Sequence, residues 1–170
     1  MVATGSLSGR VVLLVCISLL VTGCSGIVLT PTAPPDFDIS GDWELVADLS
    51  DPAPQTQDLR RRGLAISFVA QDFPILSANT MSVEQNSDSM GVRFDQGNYR
   101  DVSWGTRERG LWKINAGWKE GQLYIISKAS DAKATETLRL ESGGERLVVN
   151  IDIQADGESI SVTRVFRRVY

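Results

Sequence analysis

The sequence predicts an all-β domain, a single antiparallel meander that closes into a barrel or a strongly curved sheet, with one short helix after the first strand. Three observations lead there. Apolar and polar residues alternate through most of the chain beyond Gly41, the period of a half-buried strand. The joints between these segments carry Gly or Asn, residues able to hold positive φ in a short hairpin loop. Only one stretch, early in the domain, breaks the alternation with the signals of a helix.

Taken in order, Trp43, Leu45 and Ala47 alternate with Asp42, Glu44 and Asp48 and form the first strand. Pro52 and Pro54 then precede Gln57 to Arg62, a short helix ended by Gly63. Leu64 to Val69 is a continuous apolar run that fits either more helix or a strand. Arg60, Arg61 and Arg62 read as a solvated turn of helix rather than an anion site, because three adjacent residues cannot share one helical face. Strands are expected at 80–85, 91–95, 99–104, 110–118, 122–128, 135–141, 146–154 and 159–169. Gln96-Gly97-Asn98, Lys119-Glu120-Gly121, Ser142-Gly143-Gly144 and Ala155-Asp156-Gly157 supply turns between them. About nine strands joined so tightly pair antiparallel in sequence order, and closure removes the exposed edges of so long a sheet.

The first 26 residues carry a different message. A short segment closed by Arg10 precedes an apolar run from Val11 to Val21, followed by Thr22, Gly23 and Cys24. The run is too short to span the ~30 Å hydrocarbon core as a helix. Val21-Thr22-Gly23-Cys24 resembles the lipobox of bacterial lipoproteins. That resemblance implies cleavage before Cys24, a diacylglycerol on its thiol, often a third acyl chain (a palmitate) on its amine, and attachment to a membrane through those chains. Two or more chains hold stably where one holds marginally. Ser25 is not the Asp that often retains such proteins on the inner membrane, so the resemblance favours the periplasmic face of the cell outer membrane. The chain then divides into a signal peptide (1–23), a lipidated cysteine with a proline-rich tether (24–39) and a β domain (40–170). Pro31, Pro34 and Pro35 favour an extended course for the tether, about 40 Å at roughly 3 Å per residue. Cys16 leaves with the signal, so no disulfide forms within the mature chain.

Charge and composition exclude several classes of function. Of 17 basic residues the signal removes only Arg10, leaving 16 against 21 acidic residues and a net charge of −5. Acidity spread along the chain argues against nucleic acid, which needs clustered Lys and Arg. The chain has no histidine. Ser-His-Asp and Cys-His nucleophile systems and His-ligated metal sites are therefore ruled out. The expectation is a protein that is not an enzyme and takes no cofactor.

Gly41-Asp42-Trp43, at the start of the first strand, resembles the Gly-x-Trp signature of lipocalins. In that family the tryptophan closes one end of the barrel, packed against an arginine of the last strand. The resemblance gives Trp43 that role, with Arg164, Arg167 and Arg168 as candidate partners. Thr135 to Leu140, Gly143-Gly144, Leu147 to Val149 and Arg164 to Arg168 resemble the last hairpins of bacterial lipocalin-like domains. Trp104-Gly105 and Arg109-Gly110-Leu111-Trp112 resemble a group of uncharacterised bacterial lipoproteins.

A barrel of this size holds either packed side chains or one small ligand. Trp104, Trp112, Trp118 and Tyr124 fall in the middle strands beside the small residues Ala116, Gly117 and Ser127. Trp112, Ile114, Ala116 and Trp118 share one face by their spacing of two. Aromatics with few polar groups suit an apolar pocket, and equally suit a filled core. The candidate ligand contacts are Trp104, Trp112, Ala116, Trp118 and Tyr124, centred on the strand pair 110–118 and 122–128. Asp95 and Asp101 flank one turn and offer the paired carboxylates of a hydrolase, with Arg93 or Arg100 placed to neutralise them. The function expected is binding of a small apolar or amphipathic molecule. A structural or assembly role, holding another envelope protein, is the alternative.

Overall fold

The computed structural model describes residues Ile27–Tyr170; the signal segment and Cys24 lie outside the described residues. Ten strands form one antiparallel sheet: β1 (Gly41–Leu45), β2 (Thr80–Gln85), β3 (Ser89–Phe94), β4 (Tyr99–Ser103), β5 (Gly105–Arg109), β6 (Trp112–Lys119), β7 (Gln122–Lys128), β8 (Ala132–Glu141), β9 (Arg146–Ala155) and β10 (Glu158–Val169). The order is β4-β3-β2-β1-β10-β9-β8-β7-β6-β5. Pairing of the first strand with the last wraps the sheet into a nearly closed barrel. β4 and β5 are joined through Trp104 alone, yet they are not hydrogen-bonded to each other and border a gap.

Two helices, α1 (Thr56–Arg62) and α2 (Leu64–Gln71), lie between β1 and β2 where one was expected. The run from Leu64 is helical because Ile66, Ser67 and Ala70, one helical face, are buried, and α2 packs toward β9. Leu64 and Phe68, four residues apart, are left exposed on the other side. The meander has two ends. One carries the helices and the turns after β3, β5, β7 and β9; the other carries the N-terminal segment and the turns after β2, β6 and β8.

Ten strands replace the nine expected because 105–109 forms a strand of its own. Gly105-Thr106-Arg107-Glu108-Arg109 has no apolar alternation, and from Thr106 onward every residue is exposed. Its charges blunt a sheet edge that borders the gap.

The segment expected to be a free tether as far as residue 39 is part of the packed domain from about Leu29. Thr30 exchanges both backbone hydrogen bonds with Trp118, at 2.9 and 2.8 Å. Phe37 and Ile39 are buried, and the Phe37 ring meets Trp118 edge-on at 6.0 Å. The prolines do not keep this strap extended as expected: Pro34 and Pro35 lie in a turn closed by the Phe37 N–H donating to the Pro34 carbonyl at 3.1 Å, and the apolar residues after it fasten the strap. Gly117 makes the close approach possible, since a Cβ there would stand 2.6 Å from the Thr30 carbonyl oxygen. Gly117→Ala is expected to cost about 1–3 kcal/mol through overpacking. It should also speed amide exchange at Thr30 and Trp118; unchanged exchange at both would contradict the contact.

Candidate functional site

At the helix-bearing end, beside the gap, a pocket of about 340 Å³ opens between three elements. Asp72, Phe73 and Pro74, just beyond α2, form one wall. Tyr99 and Arg100 of β4 form the second, and Arg109 to Trp112, the β5–β6 turn, form the third. Ile114 of β6 and Ser127 of β7 lie at its base. The lining is mostly apolar with a few polar groups, the composition of a small-molecule site. Trp112 is fixed at the mouth: its Nε1–H donates to Asp72 Oδ2 at 2.9 Å, and its ring meets Phe73 edge-on at 5.7 Å.

Polarity in the barrel interior comes from three buried charges, Arg100, Glu136 and Arg164, of which the two arginines were expected in other roles and Glu136 in none. Arg100 and Glu136 are buried, and Arg100 Nη1 lies 2.7 Å from both Glu136 carboxylate oxygens. The pair joins β4 to β8, which have five strands between them in the sheet order, across the inside of the barrel. The guanidinium carbon stands 5.4 Å from the Phe73 ring centroid, a cation–π distance. Arg164 of β10, 3% exposed, donates from Nη1 to the Asp51 carbonyl and from Nη2 to the Ala78 carbonyl, each at 2.8 Å. It thereby ties both ends of the helical segment to the wall. Burial lowers the pKa of its guanidinium, against the opposing pull of Asp51 and Asp95.

The five candidate ligand residues are not brought together. Trp112 alone lines this pocket. Trp118 and Trp104 meet edge-on at 4.6 Å at the opposite end, inside the core, with Trp104 Nε1 donating to the Asn86 carbonyl at 3.2 Å. Trp118 Nε1 has no hydrogen-bond partner among the described residues. Ala116 is fully buried on the inner face. Tyr124 stands opposite Gly117 in the β6–β7 register, which puts it on the other face from Ala116 and Trp118. Only Tyr124 departs in parity; Trp112, Ala116 and Trp118 share the inner face as their spacing predicts, and Trp112 and Trp118 are separated because they lie at opposite ends of β6. Arg100 and Glu136 also left a trace. Each shares a strand face with apolar residues, Arg100 with Val102 and Glu136 with Ala134 and Leu138, where a lone charge is out of place.

At the same opposite end, Trp43 is 1% exposed and donates its Nε1–H to the Ile39 carbonyl at 2.9 Å. Of the three arginines on β10, Arg168 lies over its ring, 4.4 Å from the centroid. The same guanidinium donates to the carbonyls of Asp38, Ser40 and Gly144. Gly41 has φ 118°, and a Cβ there would crowd Arg168 Nη1 at 3.2 Å. The spacing of Gly and Trp is thus what allows an arginine to cross onto the indole. Asp95 and Asp101 are exposed, and Asp95 Oδ2 accepts from the Asn79 N–H at 3.0 Å. Arg100, a candidate to neutralise them, turns inward to Glu136 instead. Among the described residues there is no group of three or more His, Cys, Asp or Glu side chains placed to hold a metal, and no helix is long and apolar enough to cross a membrane.

No protein-family model matches the chain, and no curated protein is detectably similar in sequence. Solved structures are similar in fold. The fluorescent protein UnaG has 17% identity over 76% of this chain and 96% of its own, with a TM-score of 0.54. Human cRBP IV has 19% identity over 78% and 99%, with a TM-score of 0.54. The fatty-acid-binding protein 1 of Echinococcus granulosus has 12% identity over 77% and 97%, with a TM-score of 0.53. The fold is that of the fatty-acid-binding and lipocalin-like β-barrels. Among the described residues it has ten strands and two α-helices, where lipocalins have eight strands.

Proposed function

We propose that this chain is a non-catalytic envelope lipoprotein whose barrel binds a small apolar or amphipathic molecule in the pocket between the segment after α2, β4 and the β5–β6 turn. One observation carries the binding reading: an apolar pocket at the helix-covered end of a barrel, opening beside the β4–β5 gap, with its few polar groups at the base and rim. The resemblance in fold to a fatty-acid-binding protein supports it. The uncharged dye N-phenylnaphthylamine is expected to bind with a rise in its emission. Trp112→Ala should weaken that binding about tenfold, the usual scale for losing one aromatic contact, while Trp104→Ala leaves the pocket lining intact. No dye binding to the native protein, or equal loss from both substitutions, would contradict this site.

Anchoring rests on the sequence around Cys24. Acyl chains there would hold the protein to a membrane, and Ser25 favours the periplasmic face of the outer membrane. Cys24→Ala is expected to abolish incorporation of labelled palmitate and release the protein from the membrane fraction; label entering the variant would refute the assignment. With the strap packed from Leu29, only Ser25 to Val28 separate Cys24 from the barrel, five chain steps that reach about 18 Å at most. This spacing supports an arrangement in which the strap end faces the anchoring membrane and the pocket faces away from it.

A further inference from the structure

We infer that the pocket selects an uncharged apolar molecule ending in a hydroxyl or carbonyl group, and rejects the carboxylate of the same chain length. The inference rests on the ligand-binding reading above and concerns which chemistry the base of the pocket accepts.

An arginine inside an apolar pocket invites an anionic ligand. Here the charge is already answered. Arg100 Nη1 lies 2.7 Å from both oxygens of Glu136, and the two side chains are 9% and 2% exposed. An incoming carboxylate would set a second negative charge beside Glu136 with one cation to share, in a region where charges interact far more strongly than in water. It would also have to shed its hydration to reach that position. A neutral end group meets neither penalty. Among the described residues, Arg100 makes its only side-chain hydrogen bond through Nη1. Its remaining N–H donors are free for a hydroxyl or carbonyl oxygen. Ser127, at the base of the pocket, makes no side-chain hydrogen bond among the described residues and can complete the site. The rim does not reverse this preference. Arg109 and Asp72 have opposite charges and are both exposed, where water and salt screen them. The body of the ligand then lies against Phe73, Trp112 and Ile114.

The test is displacement of N-phenylnaphthylamine from the full chain at neutral pH by dodecanol and by dodecanoate. Dodecanol is expected to compete about tenfold more tightly than dodecanoate, a difference in scale with one screened charge contact. Glu136→Gln removes the resident anion and keeps the side chain's shape, so it should shift the ratio toward dodecanoate by about tenfold or more. Dodecanoate binding as tightly as dodecanol in the native protein overturns the inference and leaves the pocket reading standing. So does a folded Glu136→Gln protein, checked by circular dichroism, that keeps the native ranking. If that variant does not fold, the native ranking alone decides. Failure of the dye and of both competitors to bind instead removes the pocket reading, and this inference falls with it.

Discussion

Trp43→Ala is expected to destabilise the domain by about 3–5 kcal/mol, measured by urea unfolding of the protein without its signal segment. Three losses combine. The indole is 1% exposed, so its removal empties a large volume in a packed core. Its N–H donates to the Ile39 carbonyl, and that bond helps hold the strap against β1. Its ring also carries the Arg168 guanidinium at 4.4 Å, which gathers the Asp38, Ser40 and Gly144 carbonyls. Trp43→Phe keeps a ring and loses only the donor and some volume, so it should cost clearly less. A loss below about 1 kcal/mol for the alanine variant would mean that the core closes over the gap without strain. The arrangement would then not organise this end of the barrel.

Legibility in the sequence followed how far each feature depends on local pattern. Strands β2, β7, β9 and β10 were readable within one or two residues because each buries one face and is bounded by Gly, Asn or Asp turns. β5 was not, because an edge strand beside a gap buries neither face and leaves no alternation to read. α2 was ambiguous because an apolar octapeptide looks alike as strand or helix. The strap was misjudged because its prolines outweighed Phe37 and Ile39, whose alternation with Asp38 is itself a short strand-like signal. At the site, local pattern placed Trp112 on an inward-facing strand position. It could not show that the space lies beside a gap between sequence neighbours, because that gap is fixed by the pairing of the whole sheet. Arg100 and Glu136 are 36 residues apart and meet only once the barrel closes.

That ion pair gives the second large effect. Arg100→Ala is expected to cost about 3–5 kcal/mol, because it strands a carboxylate that is 2% exposed with no other cation bonded to it among the described residues. Glu136→Ala should cost less. The arginine left behind lines the pocket, where water can reach it, and it keeps the Phe73 ring beside it. Replacing both with leucine should restore most of the loss, since a buried ion pair returns little beyond its desolvation cost and a well-packed apolar pair often equals it. A double-mutant cycle built from Arg100→Leu, Glu136→Leu and the double leucine variant therefore separates two explanations of a large single-mutant effect. Strong coupling, with the double variant more stable than Arg100→Leu, identifies the penalty as an orphaned charge. Additive losses would show that the two side chains matter as packing volume, each on its own wall. The order of the single variants carries a further consequence. If Glu136→Ala were the costlier of the two, Arg100 would be sealed from the pocket, and its free donors could not meet a ligand.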